Sequence, residues 1–351
     1  MSTPHSAPPL TVMISGRALF DTEASHRVFM EHGVAAFIDH ERRHADHPLP
    51  PGPAMHLIGK LLRLPEEMVR IVLISRNSAS TAPRLIRSLA HHGLDRLHTA
   101  IFTSGGATAA YARAMDAGLF LSANGDQVVE ALAAGIPSAV VARPDPVVRP
   151  DRAADVLRIA FDGDAVLFDD EAERVCQENG LAAFHEHETS KADQPMPPGP
   201  MLGLLRFCNR VQEAYATDPD RCPIRVALVT ARSIQVQQRV ATSFEAMGVR
   251  VDEMAFLGGA PKGPILKAWG ADIFFDDSIK HVASSLENGV TACHVPYGIS
   301  NTTRPPPTQE ARTSSPATPE PIMTDTLADR HPQTPVAVSS GKTVRAATHR
   351  R

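Results

Sequence analysis

The sequence predicts an α/β fold in which one parallel-sheet unit occurs twice. The chain has 351 residues with 43% hydrophobic content, enough for two domains of ordinary size. Short apolar runs alternate with stretches of helical spacing, as in βαβ units with a parallel sheet. Landmarks of the first half also recur in the second half at one constant offset. They pair residues 15–18 with 162–165, 33–37 with 180–184, 40–41 with 187–188, and 51–53 with 198–200.

Each element of the first half has a local signal. Apolar runs predict its strands, and helical spacing predicts the helices between them. A proline-rich turn is expected at residues 47–53, and Gly93 and Gly135 end two of the helices. The predicted strands are 10–14, 70–75, 97–103, 119–122 and 138–142, and the predicted helices are 23–37, 54–64, 81–92, 108–116 and 127–134.

The same order of elements follows in the second half. Its apolar runs lack alternation, which is typical of strands buried on both faces of a sheet. The predicted strands are 157–161, 226–229, 254–257, 273–275 and 291–295. The predicted helices are 171–177, 241–247, 264–269 and 281–287.

Composition sets the predicted domain boundaries. Residues 1–9 are expected to be a disordered arm, and 144–154 a linker because of its prolines and charges. From 301 to 351 the chain is rich in Pro, Ser and Thr without any aromatic residue, so it cannot bury enough apolar surface to fold. Two domains remain, at 10–143 and 155–300, followed by a disordered tail at 301–351.

Bulk properties exclude several classes of protein. The net charge of −4 argues against nucleic-acid binding, and the lack of a long apolar run argues against a membrane span. The start of the chain lacks the pattern of a secretory signal. The four cysteines lie far apart, as expected for free thiols in a reducing compartment. We therefore expect a cytoplasmic protein with a small-molecule partner, and homo-oligomerisation is left open.

Two carboxylates mark the first candidate site. Asp162 and Asp164 follow the predicted strand 157–161, at the carboxyl end where parallel α/β folds place ligands. One carboxylate can attack phosphorus as a nucleophile, and the other can donate and accept protons. The alternative for this pair alone is an Asp-rich turn.

Three later strand ends carry polar residues that suit the same chemistry. Thr230 offers a hydroxyl to a phosphate oxygen, with a helix N-cap as the alternative. Lys262 lies in a Gly-rich segment before a helix, where a lysine can neutralise phosphoryl charge; an ordinary surface lysine is the alternative. Asp276 and Asp277 suit Mg²⁺, again with an Asp-rich turn as the alternative.

The order of these four motifs resembles the haloacid dehalogenase-like superfamily of phosphotransferases. Longer strings are similar to the cytosolic 5′-nucleotidase I family, over about residues 11–299. These strings are 15–20, 161–168, 228–232, 259–264 and 294–298. The resemblance implies Rossmann-like parallel sheets of the haloacid dehalogenase type, tandem duplicated, with a small helical cap in the C-terminal copy.

The resemblance also implies Mg²⁺-dependent hydrolysis of nucleoside 5′-monophosphates, AMP-like substrates included. Asp162 is then the nucleophile that forms an aspartyl-phosphate, and Asp164 is the acid and base. The metal ligands are expected to be Asp162, the backbone carbonyl of Asp164, and Asp277 or Asp276. Thr230 and Lys262 are expected to hold the phosphoryl oxygens, with Ala231 and Arg232 beside them at the substrate.

A cap over the site is expected at residues 169–225, between the first two motifs. Such an insertion excludes water and selects the leaving group. Its candidate contacts to base or ribose are Phe184, His185, His187 and Phe207. For each of them, a place in the core or on the surface is the alternative.

The first half lacks the catalytic set. At constant offset, Ser15 and Arg17 stand where Asp162 and Asp164 stand. Ser75 replaces Thr230, Ala109 falls near the position of Lys262, and Ser122 and Ala123 replace Asp276 and Asp277. We expect this half to be catalytically dead. Arg17, Ser75 and Arg76 are candidates for a regulatory phosphate site, with a purely structural scaffold as the alternative.

Residues 40–44 spell H-E-x-x-H, a zinc-protease signature. Pro48 follows closely, no third ligand stands out, and the second half has Lys191 in place of His44. A solvated helix end is therefore favoured.

The sequence leaves three functions open. The 5′-nucleotidase is favoured by the intact carboxylate set. The alternatives are a phosphatase of the haloacid dehalogenase type for another small phosphomonoester, and a non-catalytic nucleotide-binding protein.

Overall fold

The computed structural model describes residues 8–143 and 156–302. The predicted arm, linker and tail lie outside these residues, apart from residues 8–9 and 301–302. The domain boundaries drawn from composition stay predictions.

The described strands form a ten-stranded sheet. Their bounds are β1 Leu10–Ser15, β2 Val69–Ser75, β3 Thr99–Phe102, β4 Ala117–Ser122, β5 Ser138–Val141, β6 Leu157–Phe161, β7 Ile224–Thr230, β8 Glu253–Phe256, β9 Ile273–Asp276 and β10 Thr291–His294. The order is β3-β2-β1-β4-β5-β10-β9-β6-β7-β8. Within each half, the strands run in the doubly wound order of third, second, first, fourth and fifth. The α/β class with a mainly parallel sheet is confirmed.

The two halves share this sheet instead of forming separate sheets. The last strands of the halves, β5 and β10, pair antiparallel through Val141 with Cys293 and Val140 with His294. All other pairs are parallel. Pairing these edges satisfies backbone groups that each half alone would leave open.

The helices connect the strands on both faces. Their bounds are α1 Gly16–Leu19, α2 Glu23–Arg43, α3 Met55–Leu61, α4 Ala82–His91, α5 Ala109–Ala114, α6 Gly125–Ala133, α7 Glu171–Ser190, α8 Leu202–Ala214, α9 Gln237–Met247, α10 Lys262–Trp269, α11 Ile279–Glu287 and α12 Ile299–Thr302.

Several of these helices differ from the sequence predictions, and the short helices α1 and α12 are not predicted. Helices α2 and α7 run further than expected, and each has a non-helical break at one glycine. Gly33 has φ of 79° and Gly180 has φ of 85°, a region that favours glycine. Helix α8 was not predicted, although its buried positions recur at the spacing of an amphipathic helix.

A common apolar core extends through both halves. It includes Leu10 and Val12 of β1 together with Ile159 of β6 and Phe275 of β9. Helix α3 of the first half packs against β6 of the second, and α8 of the second half packs against β4 of the first. Each half therefore covers apolar surface of the other.

A buried ion pair also joins the halves. Lys60 of α3 lies 2.8 Å from Asp272, and their side chains are 3% and 1% exposed. Asp272 accepts a further hydrogen bond from the backbone N–H of Arg158, 2.8 Å away, and lies 3.1 Å from His56. Burial opposes ionisation of Asp272, but the bonds from His56 and Lys60 outweigh it and lower its pKa. The pair satisfies both charges at the contact between α3 and the second half.

Two further expectations concern cysteines and membranes. All four cysteines are free thiols, as expected from their spacing. Among the described helices, none combines the length and apolar character that a membrane crossing requires.

We expect Asp272→Asn to lower the free energy of unfolding by about 3 kcal/mol, because it leaves the charge of Lys60 buried without its partner. Urea unfolding of the full chain measures this. The control is Asp39→Asn, which removes an exposed pair with Arg43 in α2 and should change stability by less than about 0.5 kcal/mol. Equal effects of the two substitutions would contradict a special role of the buried pair.

Candidate active site

The loop after β6 holds the two carboxylates in fixed places. The backbone N–H of Asp162 donates to the carbonyl of Phe275 in β9, 2.9 Å away. The Oδ1 atom of Asp162 accepts from the N–H of Gly163 at 2.7 Å. Ala165 then takes a φ of 57°, uncommon for a residue with a side chain. The chain turns sharply here, immediately after the first carboxylate.

The segment after β10 packs against this loop. At Gly298, with φ of 79°, a Cβ atom would lie 2.9 Å from the Cβ atoms of Ala165 and Asp170. Only glycine fits such a close approach. This contact accounts for the string at residues 294–298 that the sequence analysis singled out.

Lys262 is the centre of the site. Its side chain is 0% exposed, and its Nζ atom lies 2.8 Å from Asp162 Oδ1 and 2.7 Å from Asp276 Oδ2. Burial alone would lower the pKa of the lysine, but the two carboxylates outweigh it and raise that pKa, so the lysine stays charged. The alternative of an ordinary surface lysine is wrong.

The two aspartates that end β9 have different surroundings. Both oxygens of Asp276 are occupied, one by Lys262 and one by the backbone N–H of Ser278 at 2.8 Å. The Oδ2 atom of Asp277 is buried and has no hydrogen-bond partner. Burial, followed by repulsion from Asp162 and Glu173, raises the pKa of Asp277 to about 10. Burial also raises the pKa of Asp162, to about 6, against the attraction of Lys262.

These three carboxylates form a donor set for a divalent cation. Oxygen atoms of Asp162, Asp276 and Asp277 lie within 4.8 Å of one another. Within residues 8–143 and 156–302, no other group of three or more His, Cys, Asp or Glu side chains meets in this way. Hard oxygen donors of this kind suit Mg²⁺. The buried oxygen of Asp277 without a hydrogen-bond partner makes Asp277 the better direct ligand, since each oxygen of Asp276 already accepts a hydrogen bond.

Thr230 lies at the end of β7 beside the carboxylate loop. A Cβ atom on Gly163 would be 3.7 Å from the Thr230 hydroxyl. That hydroxyl accepts from the backbone N–H of Arg232 at 3.1 Å, and α9 begins only at Gln237, so Thr230 does not cap that helix. The carbonyls of Thr230, Ala231 and Arg232 accept from the N–H groups of residues 257–259, which fixes this turn.

Arg232 binds Asp164 with both prongs of its guanidinium. Its Nε and Nη2 atoms donate to the two oxygens of Asp164 at 2.8 and 2.7 Å. Its Nη1 atom donates to Glu188 of α7, and its guanidinium carbon lies 5.3 Å from the Phe184 ring centre. Arg232 is thus held by protein groups on several sides.

The other cap candidates lie in apolar or ionic surroundings. Phe184 packs with Ala172 and Val236, and the ring of His185 lies 5.5 Å from it. His187 lies 3.3 Å from Glu171 and 3.1 Å from Glu188. Phe207 belongs to the common core. Contacts of Phe184 and His187 with a base or ribose stay predictions.

A group of polar residues beside Asp277 is not predicted from the sequence. Asn301 donates to the backbone carbonyl of Asp277 at 3.1 Å, and the adjacent Ser300 donates to Glu173 of α7. Gln177 also donates to Glu173, at 3.1 Å. Residues 301 and 302 were assigned to the disordered tail. They are the end of α12, because Asn301 also bonds the carbonyl of Tyr297.

At the corresponding strand ends of the first half, the polar side chains make hydrogen bonds or ion pairs within that half. The Ser15 hydroxyl accepts from the backbone N–H groups of Ala18 and Ala123. The Ser75 hydroxyl accepts from the N–H of Asn77 at 3.2 Å. Arg17 lies 3.8 Å from Glu23, and Arg76 donates to the carbonyl of Gly105. A regulatory phosphate site at Arg17, Ser75 and Arg76 stays a prediction.

The H-E-x-x-H motif has a structural role that the sequence analysis did not foresee. Glu41 is buried instead of solvated, and it binds Arg84 at 2.9 Å and the Ser25 hydroxyl at 2.6 Å. His44 Nδ1 lies 2.8 Å from the carbonyl of His40. The expectation of a solvated helix end is wrong for Glu41, because its partner is far away in sequence.

The chain is similar to known 5′-nucleotidases. The chain matches the family model of the 5′-nucleotidase over residues 1–302. It is 34% identical over 306 residues to human cytosolic 5′-nucleotidase 1B, covering 81% of this chain and 48% of the human protein. It therefore spans about half the length of that relative. A solved structure of a Thermotoga maritima protein assigned as a β-phosphoglucomutase is 16% identical, covers 38% of this chain and 82% of its own, and has a TM-score of 0.21.

We expect the stability of the metal-free protein to fall as the pH rises from about 7 to about 9. The raised pKa of Asp277 lets the folded state keep a proton that the unfolded state has lost, so unfolding becomes easier with rising pH. One such proton contributes about 1.4 kcal/mol per pH unit at most. Asp162 titrates below this window. Urea unfolding in EDTA should therefore show a flatter pH dependence for Asp277→Asn.

The control for this measurement is Asp39→Asn, at an exposed carboxylate far from the site in sequence, which should keep the wild-type slope. The same slope in wild type and Asp277→Asn would show that the buried carboxylate of Asp277 is not protonated in the folded protein.

Proposed function

Since the chain belongs to the 5′-nucleotidase family, and within it to the cytosolic 5′-nucleotidase I group, we propose that it hydrolyses nucleoside 5′-monophosphates, AMP-like substrates included, to nucleoside and phosphate. The observation that carries this proposal is the buried Lys262 between Asp162 and Asp276, next to the unpartnered oxygen of Asp277. A phosphoryl group needs a nucleophile, a fixed positive charge and a divalent cation, and this cluster offers a place for each.

Asp162 is the proposed nucleophile. Its Oδ1 atom accepts from both Lys262 and the N–H of Gly163, which leaves Oδ2 to attack the phosphorus. The new bond joins Oδ2 to phosphorus as the bond from phosphorus to the nucleoside oxygen breaks. Asp164 gives its proton to that leaving oxygen. Water then attacks the aspartyl-phosphate and returns a proton to Asp164, and phosphate leaves Asp162.

Mg²⁺ is the proposed cofactor. Its ligands would be Asp162, Asp277 and the backbone carbonyl of Asp164, whose own side chain is occupied by Arg232. When bound, Mg²⁺ supplies positive charge that offsets the charge on the transferring group. Asp276 then acts through Lys262, which it holds at 2.7 Å. Thr230 and Ala231 are proposed to hold the phosphoryl oxygens together with Lys262.

Two finer features of the fold belong to the same proposal. Tandem duplication is supported by the same strand order in both halves and by matching contacts. Leu49 N–H donates to Ser88 in the first half, as Met196 N–H donates to Ser243 in the second. A cap is supported by α7, which belongs to the insertion between β6 and β7, whereas α8 of that insertion packs in the common core. The relative is named as cytosolic, and we propose the same location here.

We expect phosphate release from nucleoside 5′-monophosphates in Mg²⁺ and none in EDTA. Asp162→Asn should lower kcat by about 10⁴-fold or more, because it removes the nucleophile. The measurement is a panel of nucleotides and sugar phosphates. The matched control is Ser15→Ala, at the corresponding strand end of the first half, which should keep wild-type kcat.

Two results would overturn the proposal. Preference for a sugar phosphate over every nucleotide would keep the chemistry and replace the substrate. No turnover by the wild type would favour a non-catalytic nucleotide-binding protein.

A further inference from the structure

A buried ionic chain runs from the cap segment to Asp164. Glu188, the third residue from the end of α7, has a 0% exposed side chain. It accepts from Arg239, the third residue of α9, at 2.6 Å and also from Arg232. Arg232 in turn holds both oxygens of Asp164. Contacts between charged side chains thus connect α7 and α9, through Arg232, to the carboxylate proposed as the acid and base.

The first half contains the same buried pair without this extension. Glu41, the third residue from the end of α2, binds Arg84, the third residue of α4, at 2.9 Å. The pair therefore belongs to the fold common to both halves. Arg232 lies two residues after the end of β7. The equivalent position of the first half, two residues after the end of β2, is Asn77. Arg17 stands at the position that matches Asp164. The additional arginine, Arg232, therefore occurs only in the half that has the candidate catalytic carboxylates.

The geometry of Arg232 suits holding one carboxylate in a fixed orientation. A planar guanidinium that binds both oxygens defines the direction of the carboxylate as well as its distance. The Arg232 side chain is itself only 2% exposed. Its Nη2 atom also lies 3.1 Å from the sulfur of Met196, and the Phe184 ring packs beside it. Contact with a substrate phosphate would require one of these protein partners to give way.

We propose that Arg232 is a positioning residue that aims Asp164 at the leaving oxygen of the substrate, and that Glu188 of the cap seats Arg232 for this task. The inference rests on the proposed function. When Asp164 is protonated, one of its oxygens still accepts a hydrogen bond from Arg232, and the other carries the proton and faces the leaving oxygen. Arg232 therefore loses one of its two hydrogen bonds to Asp164 while the proton is transferred. The role of Arg232 is thereby separate from that of Lys262, which faces the phosphoryl group.

The test compares two leaving groups. A nucleoside oxygen needs a proton to leave, whereas the nitrophenolate of p-nitrophenyl phosphate leaves without one. For each substrate, kcat/KM reports the steps up to formation of the aspartyl-phosphate. Asp164→Asn shows how much the loss of the acid changes the ratio of the two values. Arg232→Lys keeps the charge but cannot bind both oxygens.

We expect Arg232→Lys to lower kcat/KM for AMP by about 10²-fold, the lower end of general-acid contributions. Its kcat/KM for p-nitrophenyl phosphate should fall far less, so that the ratio shifts in the direction of Asp164→Asn. Glu188→Gln should shift the ratio in the same direction to a smaller extent. It serves as the second variant if Arg232→Lys does not fold, as judged by thermal unfolding.

The matched control is Arg84→Lys, which alters the same buried pair in the first half and should leave the ratio unchanged. Equal loss for both substrates in Arg232→Lys would overturn the inference and assign Arg232 to phosphate binding. An unchanged ratio with lower thermal stability would also overturn it, in favour of a structural role. If the wild type hydrolyses p-nitrophenyl phosphate but no nucleotide, the proposed function fails, and an alkyl phosphate that is turned over replaces AMP.

Discussion

The placement of Lys262 between Asp162 and Asp276 is the interaction on which the site depends. A lysine without solvent contact must be paired, and carboxylates buried this close together need a positive charge between them. One lysine is too little positive charge, because Asp277 adds a third carboxylate whose oxygen has no partner and whose pKa is raised to about 10. This excess of carboxylates over positive charge destabilises the metal-free protein and favours the binding of a cation. In the proposed function, this cost in stability serves the binding of a divalent cation.

The sheet brings these charged residues together. Strands β6, β7 and β9 are neighbours in the second half, so their carboxyl ends deliver Asp162, Thr230 and Asp276 to one edge. The first half extends the same sheet and covers apolar surface of the second through α3. The buried pair of Lys60 and Asp272 then fastens that contact. A half without catalytic carboxylates is therefore still part of the framework that keeps the site in shape.

Much of this could be predicted from sequence, because strands and motif residues are local signals. Apolar runs marked the strands, and polar residues at their ends marked the site. Local patterns do not show which residues that are distant in sequence will contact each other. The burial of Glu41 depends on Arg84, which lies 43 residues away, and the contact between Arg232 and Asp164 spans 68 residues, so neither pairing has a local signal. The joining of β5 to β10 was missed for the same reason, since no segment reveals which edge it will meet.

Comparison of the two halves separates architecture from chemistry within one molecule. Both halves have the buried Glu–Arg pair, and in both a buried serine accepts a hydrogen bond from a backbone N–H, as Ser88 and Ser243 do. Contacts that the two halves share in this way serve the fold. Where only the second half has a contact, a different cause is required. Arg232 meets that condition together with Lys262: each is a buried cation bound to an aspartate, and the first half has neither at the matching place. Lys262 is bound to Asp162, the proposed nucleophile, and Arg232 is bound to Asp164, the proposed acid and base. In the proposed reaction, Lys262 therefore serves the attack on phosphorus, and Arg232 serves the departure of the nucleoside.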